Sequence, residues 1–182
     1  MPELSPSDLV RLQGEIIEEM VYFGAHLPFR DQDDVTVVVK GHLLIEEQLV
    51  EYVAKRLAKP EKLERFSFDQ YLRVAEALNE IAAFDWMFEA CRKLNGIRNR
   101  IAHNLSPSGL EEAVAGFVDY VAKDGAALFK ADWLPCNRPE FRMAIFAVYA
   151  FLRNLNRLPL LSLAPATLLM QALAAPNPPA NP

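Results

Sequence analysis

Residues 35–58, VTVVVKGHLLIEEQLVEYVAKRLA, decide the fold class, because they can be read in two ways. The opening run VTVVV favours a strand by propensity alone. A strand would be isolated here, whereas the apolar residues continue at helical spacing after the run. The residues in this series are Val39, Leu43, Val50, Val53 and Leu57. We therefore predict a helix over about residues 35–58.

The same reasoning predicts helices on both sides of this segment and no strand pairing anywhere. We expect a first helix from Ser5-Pro6 to Pro28, and a third over 68–81 behind the capping box that Ser67 and Gln70 form. Further helices are predicted over 85–104, from Ser106-Pro107 to Ala122, over 139–156 and, as a short apolar helix, over 166–174. The predicted fold class is an all-α helical bundle of about five to seven helices.

Length and proline placement predict one domain. We assign residues 1–158 to the helical bundle, 159–175 to an apolar C-terminal helix or extension, and 176–182 to a disordered tail. Pro159 and Pro165 interrupt the most apolar stretch, so we expect no membrane span and no membrane partner. The chain start lacks a signal-peptide pattern, and Cys91 and Cys136 form no disulfide framework, which together predict a cytoplasmic protein.

Charge and side-chain spacing argue against several functional classes. A net charge of −5 excludes a general nucleic-acid binder held by its overall field, so any such contact needs a local basic patch. The carboxylates of Asp31, Asp33 and Asp34 are predicted to cap the second helix rather than to hold a metal. His26 and His42 lack partners at metal-ligand spacing and are interpreted as structural. We expect neither metal nor cofactor.

One stretch carries a chemical signal, Leu94-Asn95-Gly96-Ile97-Arg98-Asn99-Arg100-Ile101-Ala102-His103-Asn104. An arginine with a histidine five residues later is a weak pattern alone. Here a polar residue follows the first arginine, an apolar pair precedes the histidine, and the whole lies at the end of a predicted helix. In this context the chain resembles the HEPN superfamily of small helical bundles.

The resemblance extends upstream and covers about residues 35–105. Arg65-Phe66-Ser67-Phe68, Leu72-Arg73-Val74-Ala75-Glu76-Ala77-Leu78 and Phe84-Asp85-Trp86 look like the helix pair before this motif in the mannitol-operon-repressor-like branch. Gly41-His42-Leu43-Leu44-Ile45-Glu46 looks like an earlier helix of the same branch.

For HEPN ribonucleases the resemblance implies metal-independent RNA cleavage by attack of the ribose 2′-hydroxyl on the adjacent phosphate. Carried over, His103 would be the general acid or base and Arg98 would stabilise charge on the phosphoryl oxygens. Asn99 would orient a partner or hold Arg98. The resemblance further implies a homodimer that brings two motifs into one cleft, with RNA as substrate and a cognate antitoxin or regulatory protein as a candidate partner.

A geometric difficulty accompanies this assignment. Residues 98 and 103 lie about 140° apart on an ideal helix, so they share no face. Either the helix loosens near Gly96 or His103 lies just past its end. Glu46 is predicted to support the site, because a carboxylate on the apolar stripe of the second helix needs a partner, such as Arg98. The alternative for Glu46 is a boundary position that reaches water.

Two alternatives remain open at this point. Arg98 and His103 could simply cap the helix C-terminus, and the whole chain could be a non-catalytic HEPN-like regulatory or protein-binding module. Candidate RNA or partner contacts near the motif are Arg92, Lys93, Arg100 and Asn104. A second basic stripe on the sixth helix is interpreted as a solvated face or as a phosphate-tracking surface. Its members are Arg138, Arg142, Arg153 and Arg157.

Overall fold

The structure is a computed structural model that describes residues 17–18, 21–27, 33–63, 65–104, 108–124 and 138–157. These residues form an all-α bundle, with no strand among them. The predictions for the start of the first helix, the start of the fifth helix at Ser106-Pro107, and residues 159–175 and 176–182 lie outside the described residues. Within the described ranges, no helix is both long and apolar enough to cross a bilayer.

The described residues form six α-helices in chain order. We label the helical residues 21–26 as α1. The others are α2 (Asp34–Ala54), α3 (Phe68–Ala77), α4 (Asp85–His103), α5 (Leu110–Asp124) and α6 (Pro139–Arg157). One-turn 3₁₀ helices at Pro60–Leu63 and Ala82–Phe84 precede α3 and α4. The bundle predicted from the sequence is confirmed, although α2 and α3 each end four residues earlier than predicted.

The valine-rich run begins α2 and does not form a strand. The Asp33 carboxylate accepts a hydrogen bond from the Thr36 backbone N–H at 2.9 Å, which satisfies one of the free donors of the first turn. The capping interpretation is therefore confirmed for Asp33. At α3, Ser67 and Gln70 form the predicted capping box, with the Gln70 side chain accepting from the Ser67 N–H at 2.8 Å.

The buried face of α2 matches the predicted stripe only in part. Val53 is buried as predicted, but Val39 and Leu43 are 40% and 54% exposed, whereas Val38, Ile45 and Leu49 are fully buried. The prediction was wrong at Val39 and Leu43 because a single stripe at helical spacing assumes that a helix is covered from one side. α2 packs against α3, α4 and α6, and these neighbours cover a broad arc of its surface centred on other residues.

α2 and α6 run in the same direction and form the centre of the bundle. Arg138 at the start of α6 pairs with Asp34 at the start of α2, at 2.7 Å. At the other ends, Lys55 and Arg56 donate to the Asn156 and Leu155 carbonyl oxygens at 2.9 and 3.1 Å. These bonds satisfy carbonyls that the last turn of α6 leaves free. Four aromatic side chains of α6 are buried in the core: Phe141, Phe146, Tyr149 and Phe151.

This packing positions α4, the helix that holds the motif. α4 contacts α2 on one side and α5 on another, and its buried residues recur at helical spacing. They are Met87, Phe88, Ala90, Cys91, Leu94 and Ile97. Full burial ends at Ile97; in the last turn and a half of α4, half-buried Ile101 still packs against the core, while Arg98, Arg100 and His103 project from the surface.

Candidate functional site

The motif lies on the projecting end of α4. Arg98, Arg100, His103 and Asn104 are exposed, and Asn99 is half-buried. Asn104 follows the helix in an extended conformation, and its Nδ2 donates to the Arg100 carbonyl oxygen at 3.3 Å. Asn104 therefore closes the helix end, which leaves the charged side chains before it available to a ligand.

Arg98 and His103 do not converge within one chain. α4 is continuous from Asp85 through Gly96 to His103, so neither of the two routes considered from the sequence is taken. The helix does not loosen at Gly96, and His103 is its last residue rather than a residue beyond it. On a regular helix the two side chains leave the axis about 140° apart and about 7.5 Å apart along it. His103 instead shares a face with Asn99 and Arg100.

Arg98 is not neutralised by a carboxylate contact among the described residues. Its Nη1 donates to Asn99 Oδ1 at 3.2 Å, in agreement with the expectation that Asn99 holds this arginine. Four other arginines lie in ion pairs with carboxylates: Arg73, Arg92, Arg138 and Arg153. Arg98 thus keeps most of its guanidinium donors directed toward solvent, as a phosphate-binding arginine requires.

Glu46 lies near Arg98 without forming the expected ion pair. Its carboxyl group is half-buried; burial raises its pKa, and the positive charge of Arg98 lowers it. The same side chain is 3.8 Å from His42 Nδ1, on the previous turn of α2. Glu46 therefore acts on Arg98 through its field, and its nearest described charged or ionisable neighbour is a histidine.

His42 was interpreted as structural, and its ring is buried and donates from Nε2 to Asn95 Oδ1 at 3.1 Å. The sequence did not indicate that this contact reaches the helix of the motif. Asn95 is on α4, three residues before Arg98. Burial lowers the pKa of His42, the hydrogen bond to Asn95 raises it, and the charge of Arg98 lowers it. No signal in the sequence pairs residues 42 and 95, because their contact arises from helix packing.

Two of the four side chains predicted to contact RNA or a partner already interact with other residues of this chain. Arg92 binds the carboxylates of Glu76 and Glu89. Lys93 is 4.0 Å from Glu89 and lies over the Tyr120 ring, 4.9 Å from its centroid. These side chains tie α4 to α3 and α5, so they are less suited to phosphate binding than the sequence suggested.

Arg100 remains a candidate contact. Among the described residues it lies in no ion pair, and it adjoins the turn into α5 at Gly109. A Cβ on Gly109 would be 3.5 Å from Arg100 Nη1, and the backbone φ of 70° there is one that glycine adopts without strain. Arg100 therefore places a second exposed cation on the His103 side of α4.

The helix-capping alternative finds no support in the hydrogen bonds. Within the described part of the chain, neither Arg98 nor His103 donates to a carbonyl of the last turn of α4, and Asn104 occupies that role. The second basic stripe does not form one continuous solvated or phosphate-binding face, since only Arg157 of its four arginines is exposed. Arg142 is only 1% exposed, and Arg138 and Arg153 are held by acids, because this side of α6 faces α2 and α5.

Other site types receive no support from the described residues. No group of three or more histidine, cysteine or acidic side chains converges there as a metal site would require. Cys91 is fully buried, and burial raises its thiol pKa, which opposes formation of a reactive thiolate. Comparison with protein-family models, curated proteins and solved structures finds no match to this chain. The case for function therefore depends on the residues around Arg98.

Proposed function

We propose that this chain is a metal-independent endoribonuclease of HEPN type that works as a homodimer. The observation that carries the proposal is Arg98: an exposed guanidinium, bonded only to Asn99 among the described side chains, on a helix end whose other exposed groups include His103 and Arg100. An uncommitted arginine and an exposed histidine are the two kinds of group that cleavage of a phosphodiester needs.

The proposed reaction requires two kinds of group. His103 removes the proton from the ribose 2′-hydroxyl, and the 2′-oxygen forms a bond to phosphorus. The bond from phosphorus to the 5′-oxygen breaks, and that oxygen takes up a proton from water. The products are a 2′,3′-cyclic phosphate and a free 5′-hydroxyl. Arg98 donates to the phosphoryl oxygens while their charge increases.

A second copy supplies what one chain lacks. Because Arg98 and His103 leave α4 in different directions, a single phosphate cannot meet both from one protomer. Two copies joined with their α4 ends facing each other would place Arg98 of one beside His103 of the other. The acidic net charge of −5 is compatible with this arrangement if the basic groups are concentrated in the shared cleft.

The test is cleavage of labelled RNA by the purified protein in EDTA. Wild type should release fragments that end in a cyclic phosphate, and Arg98→Ala and His103→Ala should each reduce the rate by at least about a hundredfold. Arg73→Ala is the matched control, since Arg73 is an exposed arginine paired with Asp69 on α3. No cleavage by wild type over a panel of RNAs would refute the proposal.

A second candidate function is a non-catalytic regulatory or protein-binding module, with an antitoxin or regulator as partner. The exposed apolar stripe of Val35, Val39 and Leu43 on α2 favours it, because such a stripe suits a partner helix. Wild type, Arg98→Ala and His103→Ala would then behave alike with RNA. Growth arrest on expression that is lost in Arg98→Ala would instead support the nuclease.

A further inference from the structure

A polar cluster beneath Arg98 connects α2 to α4. It consists of His42, Glu46, Asn95 and Arg98, and we call it the His42 cluster. His42 is 5% exposed, and its ring packs on Phe68 of α3 with 4.2 Å between centroids. The ring therefore contacts two other helices and cannot turn without breaking either the Phe68 packing or the bond to Asn95.

The two ring nitrogens of His42 face different partners. Nε2 carries the proton that is donated to Asn95 Oδ1, so in the neutral ring Nδ1 is the unprotonated nitrogen. Nδ1 lies 3.8 Å from Glu46 Oε2. A lone pair and a carboxylate oxygen do not attract each other, so neutral His42 does not bind Glu46, and the Glu46 carboxylate acts on Arg98 only through its field. A proton on Nδ1 would turn the contact between His42 and Glu46 into an ion pair.

We propose that His42 is a positioning residue for Arg98: in its neutral form, its bond to Asn95 fixes the turn of α4 that precedes Arg98. When His42 gains a proton, the imidazolium pairs with Glu46 and places a second positive charge near Arg98. The field of Glu46 on Arg98 is then offset, and the phosphate site changes with it. The inference deepens the proposed function, since it assigns a residue that controls the same site.

The surroundings of His42 support this assignment. Among the described residues, the charged groups that act on its ring are Glu46 of α2 and Arg98 of α4. α3 contributes Phe68, which does not titrate, and α6 approaches at the neighbouring Gly41 with the apolar Ile145. Burial and the charge of Arg98 both keep the pKa of His42 low, so the neutral form prevails at neutral pH.

The first experiment observes the coupling without catalysis. In His103→Ala protein, NMR follows the His42 ring carbons and the Arg98 side-chain Nε–H as the pH is lowered. We expect the Arg98 resonance to shift with the midpoint of the His42 titration, and to lose that shift in the His42→Gln variant. His26→Gln is the control, since His26 is an exposed histidine that contacts the Tyr22 carbonyl. An Arg98 resonance that ignores the His42 titration would overturn the inference.

The second experiment measures RNA cleavage by His42→Phe and His42→Gln. Phenylalanine keeps the ring packing but cannot donate to Asn95, and we expect kcat to fall about tenfold with little change in KM. Glutamine retains a donor near the Nε2 position, so it should recover most of kcat while losing the acid-side decline that His42 causes. Unchanged kcat and an unchanged pH profile in both variants would refute the positioning role. If wild type cleaves no RNA, the proposed function fails, and the NMR titration still tests the coupling.

Discussion

Replacing glycine by alanine should lower the free energy of unfolding at Gly41, where α2 contacts α6, and raise it at Gly96 on α4. A Cβ at Gly41 would lie 2.7 Å from Ile145 Cγ2 and 2.9 Å from Ile145 Cδ1. Real carbon atoms do not approach so closely, so Gly41→Ala must move Ile145 or separate the helices. Ile145 is fully buried, and its branched side chain has one strongly preferred rotamer in a helix.

The magnitude follows from two opposing effects. Overpacking a core of this kind costs about 1–3 kcal/mol. Alanine offsets about 1 kcal/mol of that, because glycine is the poorer helix former. We expect Gly41→Ala to lower the free energy of unfolding by about 1 kcal/mol. Gly96→Ala is the matched control: Gly96 lies within α4, and a Cβ there would have no packing neighbour within 4 Å, so this variant should gain about 1 kcal/mol.

Urea unfolding of the two variants and wild type measures this difference, provided that the transitions share one slope. The two alanine variants should differ by about 2 kcal/mol, or several degrees in Tm for a chain of this size. Equal stabilisation of both variants would show that α2 and α6 do not approach each other at Gly41, and would refute the packing on which the position of α4 depends.

Three further predictions concern single groups. Ser67→Ala should lower the free energy of unfolding by about 1 kcal/mol in urea denaturation, because it removes the capping box of α3. Ser108→Ala, at an exposed serine, is the control and should change this free energy by less than about 0.5 kcal/mol. Equal effects of the two substitutions would contradict the cap. Asn156→Asp should cost at least about 2 kcal/mol, because buried Asn156 donates to Gln48 O and Oε1 at 3.0 and 3.2 Å and a carboxylate cannot donate. Asn154→Asp, at a half-buried asparagine, is the control. If it lowers the free energy of unfolding more than Asn156→Asp does, the burial of Asn156 is contradicted. Folding lowers the pKa of His42. As the pH falls below about 6.5, His42 is therefore protonated in the unfolded chain before it is protonated in the folded protein. The free energy of unfolding then drops by up to about 1.4 kcal/mol per pH unit. Chemical denaturation between pH 7.5 and 5.5 should show this slope in wild type and a shallower one in His42→Gln; parallel slopes would contradict the low pKa.

Local sequence signals predicted the starts of α2, α3, α4 and α6 to within one residue. Asp33 and Ser67 cap α2 and α3 as expected, since a cap depends on residues within one turn. The exposure of Val39 and the burial of Arg142 could not be predicted in the same way. Which side of α2 or α6 is covered depends on how many helices surround it, and apolar spacing carries no such information.

The same distinction between local contacts and contacts made by helix packing applies to the candidate site. Exposure of Arg98 and His103 at a helix end follows from the local pattern, and so does the contact between Arg98 and Asn99. The His42 cluster does not, because residues 42 and 95 are 53 positions apart and meet only through packing of α2 on α4. The engagement of Arg92 by Glu76 is likewise a contact between helices that the sequence does not encode locally.

In the proposed nuclease, Arg98 of one copy and His103 of another act on the same phosphate. The direct measurement is cleavage of RNA by a purified heterodimer of Arg98→Ala and His103→Ala chains, isolated through two different affinity tags. Each variant homodimer should be inactive, and the heterodimer should recover about half of wild-type activity, because one of its two sites is intact. A heterodimer as inactive as both homodimers, alongside active wild type, would contradict a shared site.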